Sequence, residues 1–255
     1  MPQTAQLNWL LVDRVHPETP DVTTIVASPA RGERPPSFAP GQFCMLAAPG
    51  AGEIPISISG DPARPDRLTF TIRAAGVSSS ALACRHPGDA IWMRGPLGNS
   101  WPLEAAAGND VLLIAGGTGL AALRPMVYAI LRDRANFGRL TILCGARTPA
   151  DLIYSPELAD WDRLKHTKVL TTVDTPSPSW NGNVGLVTEL LDRVALRPAC
   201  TTAMLCGPER MMHTSARDLT RRGVARDRIF LSMPEGIAAL GDDFEHARRD
   251  HAAGW

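Results

Sequence analysis

The stretch Val111-Leu-Leu-Ile-Ala-Gly-Gly-Thr-Gly-Leu120 decides the fold of the second half of this 255-residue chain. Its first five residues are apolar, which is typical of a strand buried on both faces. The glycines after them predict a tight turn, and the following residues have helical spacing. A helix that begins after such a turn offers free N–H groups to the pyrophosphate of a dinucleotide. The residues predicted to bind it are Gly116, Gly117, Thr118 and Gly119. The alternative is a tight turn that binds nothing.

Strands and helices alternate on both sides of this stretch, which predicts βαβ units and a parallel sheet. The strands are predicted at residues 110–115, 139–144, 167–173, 202–206 and 228–232, and the helices at residues 120–132, 155–164, 186–194 and 209–222. We expect an α/β domain at residues 105–232 and a C-terminal tail at residues 233–255.

The first half of the chain has the pattern of a small antiparallel β-barrel, because short strands are separated by turns rich in glycine and proline. The strands are predicted at residues 8–15, 21–28, 42–48, 67–73 and 90–94, with a turn at 16–20 and one short helix at 78–85. We expect this barrel domain to span residues 1–104. The predicted fold class is therefore a two-domain protein, an antiparallel barrel followed by an α/β domain.

Charge and cysteine use exclude several classes of function. Lys plus Arg and Asp plus Glu are 26 each, so a net charge of zero gives no electrostatic argument for binding nucleic acid. No apolar run approaches the roughly 20 residues that span a membrane, and no secretory signal is visible. The five cysteines have no metal-ligand spacing, so we expect no metal site and a reduced, cytoplasmic location.

Several motifs in chain order resemble those of the ferredoxin–NADP reductase superfamily. In the second half they are Ala115-Gly-Gly-Thr-Gly-Leu-Ala121 and Cys206-Gly-Pro208. In the first half, Pro55-Ile-Ser-Ile-Ser59 resembles the R-x-Y-S flavin strand in a variant form. The segment from Ile72 to Leu82 resembles the G-x-x-S/T-x-x-L pyrophosphate turn, and Arg94-Gly-Pro-Leu-Gly98 resembles the G-P-x-G loop.

Within that superfamily the chain most resembles the gamma subunits of cytoplasmic nickel–iron hydrogenases, or sulfhydrogenases. It is also similar to electron-transfer subunits of dihydroorotate dehydrogenase. The segments that carry this resemblance are Gly145-Ala-Arg-Thr-Pro-Ala-Asp-Leu-Ile-Tyr154, Thr172-Val-Asp174 and Cys206-Gly-Pro-Glu-Arg-Met-Met212. The resemblance implies a flavoprotein that binds FAD, less favourably FMN, and uses NAD(P)H. It also implies a partner subunit that carries iron–sulfur centres.

The resemblance assigns site residues position by position. Ser57 is expected to bond flavin N5 and Cys206 to lie near the nicotinamide, and both are the candidate catalytic residues. The other flavin contacts are expected from Pro55, Ile56, Ile58, Ile72, Arg73, Gly76, Ser78 and Ser79. Gly207 and Pro208, in the Cys206 motif, are expected to contact the nucleotide. Arg147 and Asp174 each follow a predicted strand, where Arg147 could meet the adenosine ribose or a 2′-phosphate and Asp174 the ribose hydroxyls. The alternative for Arg147 is a solvated loop arginine.

Two departures from the family pattern affect the expected cofactors. Ile54 stands where the family has its flavin-phosphate arginine, so Arg73 is the nearest candidate cation. No cysteine follows Cys206, so we expect no 2Fe–2S cluster in this chain. A standalone flavin reductase, an oxygenase reductase component and a structural subunit without cofactor remain alternatives. The choice between NADH and NADPH, the oligomeric state and the physiological direction stay open.

Overall fold

Six strands of the first half form one antiparallel sheet in the computed structural model, which describes residues 7–64, 66–233 and 236–240. They are β1 (Leu7–Thr19), β2 (Val22–Pro29), β3 (Phe43–Ala47), β4 (Ile54–Ser57), β5 (Leu68–Arg73) and β6 (Ala90–Leu97). Their order is β4-β3-β6-β1-β2-β5, and a bridge between Ile58 and Phe70 joins the two edges. The sheet therefore curls into a barrel.

Alternating apolar residues fill this barrel. Leu10, Ile25, Leu46 and Phe70 are fully buried on the inner face of their strands, as period-two alternation requires. The helix α1 (Val77–Ala83) follows β5 and buries Leu82 in the same core. The barrel thus has its own apolar core.

The turn predicted at residues 16–20 is wrong, because β1 continues to Thr19. Beyond Val12 the strand no longer pairs with β6, so it is paired only with β2 on one side. A proline on such an edge costs no ladder hydrogen bond, and Pro17 therefore stays in the strand opposite Thr23.

The second half contains a seven-stranded sheet of order β10-β9-β8-β7-β11-β12-β13. Its strands are β7 (Asp110–Gly116), β8 (Leu140–Ala146), β9 (Thr167–Val173), β10 (Asn183–Val184), β11 (Thr201–Cys206), β12 (Ile229–Met233) and β13 (Gly236–Ala239). All neighbouring pairs are parallel except β12 and β13.

Helices cover both faces of this sheet, which explains why its strands are apolar on both sides. The α-helices are α2 (Leu103–Ala106), α3 (Gly119–Arg132), α4 (Ser155–Asp162) and α5 (Glu209–Arg221). Helices α3 and α4 pack on one face, and α5 packs on the other with the 3₁₀ helix Val187–Arg193. The helix predicted at residues 186–194 is therefore a 3₁₀ helix. The predicted fold class is confirmed.

The domain limits themselves stay a prediction, although the sheet changes between Leu97 and Asp110. Part of the predicted C-terminal tail is a strand, because β13 pairs with the free edge of β12 and buries Leu240. Residues 241–255 of that tail lie outside the described residues. No helix in the described part of the chain is long and apolar enough to cross a membrane.

Candidate functional site

A cleft of about 820 Å³ lies between the barrel and the carboxyl edge of the parallel sheet. Neighbouring parallel strands end at this edge, which is where open α/β sheets bind ligands. The barrel contributes Ser57 and Arg73 from the other side. The predicted site residues that line the cleft are Ser57, Arg73, Gly116, Gly117, Thr118, Gly119, Arg147, Asp174, Cys206, Gly207 and Pro208. The structure thus brings together residues from both halves.

The glycine-rich turn packs backbone to backbone against the turn after β11. A Cβ atom at Gly119 would overlap the carbonyl of Cys206, and one at Gly207 would come within 2.9 Å of the Gly116 nitrogen. Gly117 has a different reason to be glycine, because its φ of 54° is left-handed and open space lies above it. Two glycines are therefore needed for packing, whereas Gly117 leaves room for a bound molecule.

The N-terminus of α3 opens onto this cleft through Thr118 and Gly119. Its first turn has no acidic residue, and the Thr118 side chain makes no capping bond. The helix has 14 residues, so its N-terminus carries a partial positive charge that is not neutralised locally. These features fit a phosphate group, and the nucleotide pyrophosphate predicted there is compatible with the residues present.

Cys206 ends β11 at the floor of the cleft. Burial raises the pKa of its thiol to about 11, and a hydrogen bond with Ser232 only partly opposes this shift. The side chain is therefore a neutral thiol near pH 7. A neutral thiol is a poor nucleophile, so its place suits packing against a ligand.

On the barrel side, the strand face decides which predicted flavin residues reach the cleft. Ser57 faces it, whereas Ile56 packs against the barrel core. Ile58 and Ile72 are completely buried in that core, so only their backbone remains for contact with a bound molecule. Pro55 is exposed and does not line the cleft.

The predicted pyrophosphate turn at the start of α1 lies outside the cleft lining. The Ser79 hydroxyl accepts hydrogen bonds from the backbone nitrogens of Ala75 and Gly76, at 3.0 and 2.9 Å. Ser79 therefore caps its own helix, and the neighbouring Ser78 is partly buried, as Ser79 is. Arg73 donates from Nε to Asp21 at 2.7 Å, and this hydrogen bond lowers the pKa of Asp21. Its remaining guanidinium nitrogens are the candidate cation for a flavin phosphate.

Several cleft residues were missed by sequence reasoning. Leu186, Val187 and Thr188 line the cleft where the 3₁₀ helix begins, and nothing in their composition indicates a ligand. Arg210 and Met211 line it from the first turn of α5. The Cys206-Gly-Pro208 turn could have indicated Arg210 and Met211, because a helix that follows a strand at the carboxyl edge of the sheet begins beside the cleft. Met212, on the other face of α5, is a core residue.

A second cavity of about 1030 Å³ lies on the other side of the contact between the two halves. None of the predicted site residues lines it. Its walls carry acidic and basic side chains in similar numbers, so its charge favours no single class of ligand. Among the described residues, no group of three or more His, Cys, Asp or Glu side chains is placed to hold a metal ion.

Comparison with known proteins finds similarity over most of the chain. A family described as "Oxidoreductase NAD-binding domain" matches residues 113–217. Sulfhydrogenase 1 subunit gamma from Pyrococcus furiosus is 34% identical over 200 residues, which cover 77% of this chain and 68% of that protein. A probable dihydroorotate dehydrogenase B (NAD(+)) electron transfer subunit from Methanopyrus kandleri is 34% identical over 182 residues, covering 71% and 64%.

Among solved structures, a ferredoxin NADP+ reductase from Neisseria gonorrhoeae with bound FAD and NADP has the same fold. Its TM-score is 0.75 at 21% identity, with 89% of this chain and 98% of that chain covered. At this identity the likeness concerns the fold alone.

Proposed function

Because this chain belongs to the ferredoxin–NADP reductase family of NAD(P)H-dependent flavoprotein oxidoreductases, together with the sulfhydrogenase gamma subunits, we propose that it is the electron-transfer subunit of a larger redox enzyme. The observation that carries the proposal is the shared cleft. Ser57 of the flavin-type strand, the glycine-rich turn and Cys206 line one space from opposite sides. A flavin and a nicotinamide bound by these residues would meet there.

A flavin held beside Ser57 in this cleft would supply the redox chemistry, taking a hydride from the dihydronicotinamide and passing the two electrons on singly. The residues of this chain bind and orient. The backbone at Gly117 and Thr118 would hold the nucleotide pyrophosphate, and the Ser57 hydroxyl would bond the flavin ring. The neutral Cys206 thiol and the apolar Leu186 and Val187 would exclude water from the ring contact.

We favour FAD over FMN because the Gly76-x-x-Ser79 turn resembles a pyrophosphate motif, and only FAD has a pyrophosphate. The structurally similar ferredoxin reductase also has bound FAD. No cysteine follows Cys206, which supports a chain without its own 2Fe–2S cluster. Electrons would then leave the flavin directly for an iron–sulfur centre of the partner.

The partner proposed is the iron–sulfur subunit of a cytoplasmic hydrogenase, because a sulfhydrogenase gamma subunit is 34% identical to this chain. Five unpaired cysteines agree with a reducing compartment. Similarity to a dihydroorotate dehydrogenase subunit at the same identity makes that class of partner the second candidate.

The visible absorption spectrum of the purified chain tests the cofactor and the donor together. We expect flavin bands that bleach during anaerobic titration with NADH or NADPH, and the nucleotide that bleaches them at lower concentration is the donor. A chain without flavin, which also binds none on reconstitution with FAD or FMN, would overturn the proposal. It would leave the structural subunit as the better account.

Reoxidation of the reduced protein separates an electron-transfer subunit from a standalone reductase. We expect slow reoxidation by dioxygen and free flavin, and fast reoxidation by a 2Fe–2S protein that accepts single electrons. Fast turnover with dioxygen and no acceleration by the iron–sulfur acceptor would favour the standalone reductase.

Ser57 offers a test of the flavin contact itself. Ser57→Ala removes one hydroxyl, and loss of a hydrogen bond worth about 1 kcal/mol slows flavin reduction roughly five- to tenfold. Ser28→Ala is the matched control, because Ser28 is also on a barrel strand but bonds Asp13 away from the cleft. Stopped-flow reduction by NADH measures both variants, and equal rates would remove Ser57 from the site.

A further inference from the structure

The contact between the two halves contains a set of buried and partly buried polar side chains that the proposed function does not use. We name it the interdomain cluster. It consists of Glu18, Thr24, Ser59 and Thr71 from the barrel and Arg124, Tyr154 and Glu157 from the α/β half. It lies between the cleft and the second cavity, several of whose lining residues belong to it.

Tyr154 crosses from one half to the other, and its backbone bonds the barrel carboxylate of Glu18 directly while its hydroxyl is linked to the same carboxylate through two threonines. Its backbone nitrogen donates to Glu18 Oε2 at 3.2 Å. Its hydroxyl shares a hydrogen bond with Thr71, which is 2.9 Å from Thr24, and Thr24 donates to Glu18 Oε1 at 2.7 Å. Thr24 has one proton and gives it to Glu18, so Thr71 donates to Thr24 and Tyr154 donates to Thr71. Burial raises the pKa of Tyr154, which keeps its hydroxyl protonated for this role.

The backbone of Tyr154 shows that this placement is enforced. Its φ of 56° lies in the left-handed region, which is unfavourable for a residue with a large side chain. Such a conformation persists only where surrounding contacts determine it. The side chain is 3% exposed, and the Arg124 guanidinium stacks 4.1 Å from its ring centre.

Arg124 makes a second polar contact between the two halves. It pairs with Glu157 on its own side and donates to the backbone carbonyl of Ser59 in the barrel at 3.2 Å. Tyr128 also contacts Arg124 and Glu157, but its hydroxyl bonds only Glu157 and does not reach the barrel. Of the two hydroxyl groups, only that of Tyr154 makes a hydrogen bond across the interface.

Three residues of the cluster each lie two positions from a residue that lines the cleft. Ser59 follows Ser57, and Thr71 precedes Arg73 on β5. Arg124 follows Ala122 on α3, close to the glycine-rich turn. Residues two apart on a strand share a face and lie roughly 7 Å apart. A shift of the cluster therefore moves the cleft walls directly.

We propose that Tyr154 is a positioning residue for hydride transfer, whose hydroxyl bond to Thr71 fixes the distance between the barrel wall at Ser57 and the glycine-rich turn. The inference rests on the proposed function of the cleft. Hydride transfer needs reacting atoms in near contact, and a misplacement of about 1 Å slows such a step by up to roughly 100-fold. Tyr154 touches neither the nucleotide turn nor the Ser57 wall, so it acts through Thr71.

The test compares Tyr154→Phe with Tyr128→Phe in the flavin-loaded protein. Both changes remove one phenol hydroxyl beside Arg124, and only the first removes a bond between the halves. Anaerobic stopped-flow reduction over a series of NADH concentrations, or of NADPH if that is the donor, separates the limiting rate from the nucleotide Kd. We expect Tyr154→Phe to lower the limiting rate roughly tenfold or more. Its Kd, flavin content and melting temperature should match those of Tyr128→Phe.

Thr71 provides a second pair of variants on the barrel side. Thr71→Val removes the hydroxyl and should slow reduction as Tyr154→Phe does, whereas Thr71→Ser keeps the hydroxyl and should restore the rate. The double variant Y154F/T71V should be no slower than the slower single variant, because both remove the same bond.

Equal limiting rates for Tyr154→Phe and Tyr128→Phe would overturn the inference and leave the proposed function intact. So would equal rates for Thr71→Val and Thr71→Ser. If the wild-type chain binds no flavin, or neither nucleotide bleaches it, the proposed function itself fails. The two failures are therefore distinguishable in one set of measurements.

Discussion

At the scale of single residues, Cys206 shows how burial decides the chemistry available to a side chain. The motif around it predicts a place beside the nicotinamide, and the structure puts it on the cleft floor. Because burial raises its pKa to about 11, the thiolate forms only as the pH rises towards that value. A role as a nucleophile at neutral pH is therefore disfavoured.

This pKa leads to a prediction about pH and alkylation. Between pH 6 and 9 the limiting rate of flavin reduction should depend on pH in the same way in the wild type and in Cys206→Ala. The rate of the variant should stay within about tenfold of the wild-type rate. Iodoacetamide should modify the exposed Cys84 and Cys200 before Cys206, as mass spectrometry of timed samples would show. Preferential labelling of Cys206 near pH 7 would contradict the neutral thiol.

Sequence reasoning identified the cleft glycines from a motif in which the backbone geometry itself has a function. Gly117 and Gly119 were found because glycine at a βα turn has a specific geometric meaning. Leu186 was missed because a leucine at the start of a predicted helix has no such meaning. Ile58 and Ile72 were assigned by resemblance, and strand alternation turns their side chains into the barrel instead.

At the scale of elements, the cleft depends on the close packing of the start of α3 against the end of β11. The start of the helix packs against the Cys206 carbonyl with no space for a side chain at Gly119. Long strands and helices here were predicted because apolar runs and helical spacing extend over many residues. The two-residue β10 and the edge strand β13 lack such runs, so only pairing with their neighbours defines them.

Gly119→Ala tests this packing. The added methyl group would separate α3 from β11, and overpacking of this kind lowers the free energy of unfolding by about 1–3 kcal/mol. Nucleotide affinity should fall as well, because the turn that holds the pyrophosphate would shift. Gly52→Ala is the control, since a Cβ atom there meets only Ser78 at 3.4 Å. Urea unfolding and nucleotide titration measure both variants, and an unchanged Gly119→Ala protein would refute the packing argument.

At the scale of the whole molecule, Asp110 secures the amino edge of the parallel sheet, opposite the cleft. It is buried at the start of β7 and binds two arginines that precede neighbouring strands. Arg139 donates from its backbone at 2.7 Å, and Arg197 donates from Nε at 2.8 Å. Burial alone would raise the pKa of Asp110, but these hydrogen bonds outweigh it and hold the pKa at about 2.

A folded-state pKa below the ordinary value of 3.8 means that this carboxylate stabilises the fold above pH 4. The stabilisation should disappear as the pH falls from about 4 to about 2, and its size is roughly 2 kcal/mol. Asp110→Asn should lower the free energy of unfolding by about this amount at pH 7 and reduce its dependence on pH below 4. Denaturant unfolding of both proteins at several pH values measures the free energy of unfolding and its pH dependence.

Asp160→Asn is the matched control, because Asp160 pairs with Arg163 on the open surface, where ion pairs contribute little. Equal losses of stability in the two variants at pH 7 would show that the buried ion pairs of Asp110 stabilise the fold no more than a surface ion pair does.

The two halves were predictable separately, because each has its own periodicity and turn residues. Their contact was not predictable in the same way. Tyr154 lies in a motif that the family resemblance identified, yet its partner Thr71 is 83 residues earlier in the chain. No local sequence pattern indicates which threonine contacts which tyrosine, because that contact depends on how the folded surfaces of the two halves pack together.

The edge strand β13 also joins the two halves, and this has a consequence for the order of folding during synthesis. It pairs with β12, and the Asn99 amide donates to its Ile237 carbonyl at 3.5 Å, beside the barrel. Of the described elements, β13 is the last to leave the ribosome, whereas the barrel strands emerge first. The barrel can therefore collapse early as an independent unit. The contact that β13 adds between the barrel and the sheet has to await translation of residues 236–239, after Arg124 and Tyr154 have been translated.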